Sequence, residues 1–218
     1  MPFTPQEIAD LPNVFSAPRF ATYLQARNNV PQDALALYQW NLELSAAFIV
    51  PLQICEVAVR NSIADALEMV HGPNWPWSNG FIRRLPNPQR RFSPTTELLS
   101  VSRMQPTTGK VVAELKFVFW ESMLTATHDN DLWNPHFRTV FPHTDAGKSV
   151  QMLRHEAHDQ MFKIRKFRNR IAHHEPIFVR NIAEEYDRIK TVIGWKCQTA
   201  ANWLDRVQTI TALNQNRP

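Results

Sequence analysis

Apolar residues recur along this chain at three- and four-residue steps, and no strand-length window alternates with period two. The clearest stripe runs Val150, Leu153, Ala157, Met161, Ile164, position 168 and Ile171, in steps of 3, 4, 4, 3, 4 and 3. It predicts a helix over Ala146–Ala172, with Asp145 as its cap and Pro176 stopping it soon afterwards. A second long helical pattern covers Ala34–Val70, opened by Pro31 and interrupted by Pro51, where a kink or a break is expected. Its stop signal is His71-Gly72-Pro73. Shorter patterns cover Pro18–Arg27, then Val111–Ala126 with Thr107 or Thr108 as cap. A last segment runs from Asn181 to about Leu213, with Gly194 a candidate break. Residues 73–106 hold six prolines and the basic pairs Arg83-Arg84 and Arg90-Arg91. That stretch reads as an irregular surface insertion with one short helix near Asn79–Leu85. Residues 128–144, rich in Asp, Asn, Pro and His, read as a loop. With no repeat and no low-complexity tract, the expectation is one all-α domain over residues 1–218, a helical bundle carrying the Pro-rich insertion.

Composition narrows the function. The chain has only 5 glycines and no GxGxxG or GxxxxGK[ST], which argues against a backbone loop cradling phosphates. Its two cysteines, Cys55 and Cys197, build neither a disulfide framework nor a thiolate zinc site, so a reducing compartment is expected. The first ten residues carry Glu7 and Asp10 and lack a signal-peptide pattern. The longest uncharged apolar run, Leu44–Cys55, is 12 residues against the roughly 20 of a membrane span, so a soluble cytoplasmic protein is expected. The net charge of +4 is unevenly spread. Residues 1–75 carry 3 basic and 7 acidic side chains, whereas residues 145–175 carry 7 and 4. Such asymmetry suits a polyanion-binding face, or it is scattered solvated charge.

The 146–172 stripe contains one anomaly. Its rhythm calls for an apolar residue at 168, and the chain supplies Arg168. A charge on a buried stripe is costly unless it is paired, snorkels, or faces a cleft or a second subunit. The run continues Asn169-Arg170-Ile171-Ala172-His173-His174-Glu175-Pro176. Asn169 and His173 are i,i+4 neighbours, so the amide can orient the imidazole. Arg168 and His173 lie about 140° apart around a straight helix, so they converge only if the helix ends between them or two copies face each other.

Arg168-Asn169-Arg170-Ile171-Ala172-His173 resembles the Arg-(polar)-x-x-x-His motif of the HEPN ribonuclease superfamily, in the form seen in its Abi-like (abortive-infection) branch. Two further stretches are similar to the same branch: Trp40-Asn41 through Pro51-Leu52 to Glu56-Val57-Ala58-Val59-Arg60-Asn61, and Gly109–Phe117 with Phe119-Trp120. The resemblance covers roughly residues 30–215. It implies an all-α fold, a homodimer with the motifs of two protomers in one cleft, and metal-independent RNA cleavage by 2′-OH attack. His173 would then be general acid or base, Arg168 would bind the phosphate, and Asn169 would position His173 or the phosphate. His174 is a weaker candidate, because adjacent residues point to different faces. Glu56 and Arg60, an i,i+4 pair beside Asn61, would either order their own helix or support Arg168 and His173. The resemblance also implies a toxin or effector role in anti-phage defence, with a protein or small-RNA antitoxin as inhibitory partner. HEPN toxins silenced by nucleotide transfer carry a Tyr two residues after the motif His; here that residue is Glu175.

Other readings compete. His155-Glu156-Ala157-His158 superficially suggests a zinc protease, but HExxH needs His at position 159, which is Asp159. Neither a metal nor a cofactor is expected. Lys163, Arg165, Lys166 and Arg170 would serve a non-catalytic RNA-binding or regulatory module, with Phe167 offering a stacking surface. A purely structural dimerisation module would leave Arg168 unexplained.

Overall fold

The computed structural model describes residues 3–218, and among them every regular element is helical. Helix α1 (Pro5–Val14) opens with a reciprocal capping box between Thr4 and Glu7, and α2 (Ala17–Ala26) follows it. The architecture is built around α3 (Pro31–His71), 41 residues and therefore about 60 Å long. Pro51 does not break it. The ring is buried within a continuous helix, which runs on past it to His71 at the cost of one backbone hydrogen bond. Gly72, at φ +80°, ends the helix where the stop signal places it, and its N–H reaches the Glu68 carbonyl at 2.8 Å.

The Pro-rich stretch departs from expectation. After a single 3₁₀ turn (Trp75–Trp77) and the short α4 (Asn79–Ile82) comes α5 (Pro94–Met104), an eleven-residue helix that the proline count concealed. Pro94 occupies the first turn, where no N–H is needed, and Ser93 caps the helix by accepting the Thr96 N–H at 3.1 Å. Nor is the stretch a surface insertion, since Trp75, Phe81, Leu85 and Leu98 are all buried, with Trp75 edge-on to Trp120. The helix expected over Val111–Ala126 is two, α6 (Thr108–Glu114) and α7 (Phe117–Met123), separated by extended backbone at Leu115 and Lys116. The expected loop over 128–144 is largely helical: a π turn (Asp129–Trp133) and α8 (Asn134–Val140) bury Leu132, Trp133 and Phe137.

Helix α9 (Val150–Ala172) begins later than expected, with Ser149 as its cap; Asp145 instead accepts the Gly147 N–H at 2.8 Å. Asn181 caps α10 (Ile182–Lys196) as expected. The break that follows lies at the extended Cys197, not at Gly194, and leads into α11 (Gln198–Val207) and α12 (Ile210–Gln215). Helix α3 contacts α1, α2, α6, α7, α8, α9, α10 and α12. Its Trp40 indole donates to the Leu213 carbonyl at 2.7 Å, and Arg217 lies over the same ring. Both cysteines are free thiols, and burial pushes the Cys55 thiol up to about 12.

Although the uncharged run on α3 is short, the helix holds an 18-residue window of mean hydropathy 1.7, apolar enough in length and composition to cross a membrane. A third of that window is buried against the other helices.

Candidate functional site

At the C-terminal end of α9 the core takes Phe167, not residue 168. Phe167 is 1% exposed and packs edge-on against Phe48 of α3, with ring centroids 4.7 Å apart. The buried stripe therefore steps Ala157, Met161, Ile164, Phe167 and Ile171, while Arg168, about 100° further round, is exposed. Arg168 is not a charge on a core position. The 3.6-residue repeat admits a step of three or of four after Ile164, and the larger apolar side chain takes the buried place.

The helix ends in a Schellman arrangement. His173 is the cap residue and His174 adopts the left-handed conformation at φ +56°. The His174 N–H donates to the Ile171 carbonyl at 3.0 Å and the Glu175 N–H to the Arg170 carbonyl at 2.8 Å. Where such ends commonly make an apolar contact, an ion pair stands instead: Arg170 meets Glu175 at 3.1 Å and also donates to the Pro176 carbonyl at 2.7 Å. The chain beyond is fixed by Asn41 of α3. This buried amide accepts the N–H groups of Ile177 at 2.8 Å and Phe178 at 3.1 Å. Sequence reasoning gave Asn41 no role. Its signal was an amide on an otherwise apolar helix face, a residue type that is costly to bury without partners.

Three cavities open around this helix end. One of about 190 Å³ lies against α3 and is lined by Ile49, Gln53, Glu56, Arg168 and Ala172 among others. A second, of about 550 Å³, brings Glu56, Arg165, Arg168 and Asn169 together with the corner between α6 and α7. A third, of about 380 Å³, is lined by Lys163, Lys166, Asn169, Arg170 and Arg180. Arg168, Asn169 and Glu56 thus share one groove. His173 is exposed and lines none of the three. Because α9 continues through Ala172, Arg168 and His173 of one chain diverge, and the Asn169 amide makes no bond to the imidazole; its backbone carbonyl accepts the His173 N–H at 2.9 Å.

The expected Glu56–Arg60 ion pair does not form. Arg60 Nε is buried without a partner, and Asn61 is exposed on the same helix. Glu56 makes no ion pair among the described residues. Most of the candidate basic patch is neutralised. Glu121, buried on α7, accepts two hydrogen bonds from Arg165, at 2.6 and 3.0 Å, which hold that guanidinium more firmly protonated. Lys163 pairs with Asp159 at 2.7 Å, and Arg180 pairs with Glu185. Lys166 and Arg168 have no carboxylate partner among the described residues; Lys166 lies 5.0 Å from the Phe162 ring centre. Phe167, offered as a stacking surface, is unavailable to a ligand because it is core. Glu156 of the pseudo-zinc motif pairs with Lys148 at 2.6 Å, and among the described residues no three His, Cys, Asp or Glu side chains are grouped to hold a metal.

No protein-family model matches this chain, and no similar protein was found among curated proteins or solved structures.

Proposed function

We propose that this protein is a metal-independent endoribonuclease of the HEPN, Abi-like kind. The observation that carries the reading is Arg168, an exposed guanidinium with no protein carboxylate to neutralise it, standing beside Asn169 in an open groove one turn before His173. In the scheme, Arg168 grips two phosphate oxygens and offsets charge developing on phosphorus. An imidazole removes the proton from a ribose 2′-OH, whose oxygen attacks the adjacent phosphate. The bond from phosphorus to the 5′-oxygen breaks, that oxygen takes up a proton, and a 2′,3′-cyclic phosphate is left. No cofactor enters.

If Arg168 and His173 act on the same phosphate, their divergence on one helix favours drawing them from two copies, in a homodimer with a composite site. A surface suited to that contact lies beside the motif. Leu42, Ile49, Val50 and Val57 form an exposed apolar stripe on α3 that runs to the Arg168 cavity. A cytoplasmic anti-phage effector held in check by a protein or RNA antitoxin is the role the motif resemblance suggests.

The deciding experiment is RNA cleavage in EDTA by the wild type, Arg168→Ala and His173→Ala. The expectation is cutting by the wild type and a loss of a hundredfold or more in each variant, on the order of one general acid–base or charge-stabilising group. Undiminished cutting in both variants removes the site assignment. A second reading, a non-catalytic RNA-binding module, is favoured by the cation–aromatic cluster of Arg165, Lys166 and Phe162 beside the 380 Å³ cavity. It predicts RNA binding that responds to Lys166→Ala with no cleavage at all.

A further inference from the structure

The groove of about 550 Å³ holds chemistry that phosphate binding does not use. Its walls come from Glu56 on α3, Phe92 ahead of α5, the corner from Ala113 to Val118, and the α9 residues already named. Among the carboxylates around it, Glu121 is satisfied by Arg165 and Glu97 by Lys116 at 2.9 Å. Glu56 and Glu114 have neither an ion pair nor a side-chain hydrogen bond among the described residues. Two unneutralised carboxylates repel phosphate, and being acceptors only, they call for a ligand edge made of donors. Beside them the half-buried Phe92 ring and the side chains of Leu115 and Val118 offer an apolar wall. A carboxylate edge next to an aromatic face, a step away from a cation for phosphate, suits an unstacked base of single-stranded RNA. The volume falls within the range of about 300–1,000 Å³ usual for small-ligand sites.

We propose that this groove is a nucleobase subsite selecting guanine next to the phosphate held by Arg168, with Glu56 and Glu114 accepting from the base and Phe92 stacking on its face. The proposal rests on the ribonuclease reading for the phosphate's place, but not for the recognition of the base. Guanine alone of the four bases presents adjacent N1–H and N2–H donors, which a carboxylate accepts side by side. Adenine and cytosine each set a ring-nitrogen lone pair beside their amino group, and uracil flanks its N–H with two carbonyls. Each of these turns a lone pair toward a carboxylate. Glu56 is half-buried in the middle of α3, where the helix fixes it, and Glu114 stands exposed at the last residue of α6. The extended backbone at Leu115 and Lys116 makes the corner into which the base fits.

Binding is read by fluorescence anisotropy with fluorescein-labelled 2′-O-methyl hexamers, which cannot be cut, in EDTA. Each carries one guanine, inosine or adenine in a uridine background. The guanine hexamer is expected to bind roughly tenfold more tightly than the inosine hexamer, which lacks the N2 amino group, and to exceed adenine by more. Glu56→Gln is expected to abolish the preference with unchanged circular dichroism, and Phe92→Leu to weaken every hexamer alike. Absent or equal binding of all hexamers, or a preference that survives both Glu56→Gln and Glu114→Gln, overturns the subsite. So does a preference that appears only when magnesium replaces EDTA, since the carboxylates would then be holding a cation. The two readings separate cleanly. Cleavage without guanine preference removes the subsite and leaves the nuclease, whereas guanine-selective binding by a protein that cuts no RNA does the reverse.

Discussion

Single residues set the shape of the motif end. His174 occupies a left-handed position that glycine fills at less cost, so His174→Gly is expected to raise stability by about 0.5 kcal/mol and His174→Val to lower it by about 1–2 kcal/mol in urea unfolding. If His174→Gly also leaves RNA cleavage intact, the residue serves the turn and not the substrate. Asn41 is the opposite case, a side chain whose loss strands two buried N–H groups. Asn41→Ala should cost about 3 kcal/mol in urea unfolding, and if the protein cuts RNA, lower cleavage through the fold alone. A third residue ties stability to pH. Burial, opposed by Asp131 and reinforced by His71 and Arg84, holds the His128 imidazole below its ordinary 6.5, and its Nε2 is buried without a partner. Below that pH the unfolded chain takes up a proton that the folded protein refuses, so stability falls as pH drops and is fully present above it. The urea midpoint should therefore decline between pH 7 and pH 5, and less steeply in His128→Gln. His71, lowered chiefly by burial, adds to the decline with the same sign.

At the scale of elements, helical periodicity told more than punctuation did. The patterns around 17–26, 31–71, 150–172 and 182–196 are helices because apolar residues at three- and four-residue steps leave few other ways to bury them. Proline misled in both directions. Pro51 is carried, buried, inside a continuous α3, and Pro94 begins α5 instead of breaking it. The same ambiguity touched the candidate site. Asn169 and Arg168 could be picked out from the chain, but whether 167 or 168 faces the core depends on Phe48, more than a hundred residues earlier, which no local pattern contains. Phe167→Ala should cost about 3–5 kcal/mol, and Arg168→Ala less than about 0.5 kcal/mol in thermal unfolding. A large loss of stability in Arg168→Ala would return the arginine to a structural role. Helix α9 is also tied to α7 by the Arg165–Glu121 pair. Removing one partner, as in Glu121→Ala, leaves a partly buried charge uncompensated and should cost about 3 kcal/mol.

The whole molecule hangs on α3, which supplies a core face, an exposed apolar face and two of the groups that shape the motif end. If the exposed face joins two copies, sedimentation equilibrium should find a dimer, and Ile49→Glu combined with Val57→Glu should yield folded monomers. With a composite site those monomers lose cleavage. Mixing Arg168→Ala with His173→Ala protein should then restore part of it, because a mixed dimer retains one intact pair. A wild type that stays monomeric at tens of micromolar would remove the two-copy arrangement.

One pair of neighbouring residues links distant parts of this architecture. Trp40 fastens α12 through the Leu213 carbonyl, and Asn41, the next residue, fastens the strand of chain after His173 through Ile177 and Phe178. Both clasps sit on the same turn of α3, so a pull on the final helix is felt one residue from the support of the motif. An affinity tag or surface tether at the C-terminus therefore loads the motif end mechanically.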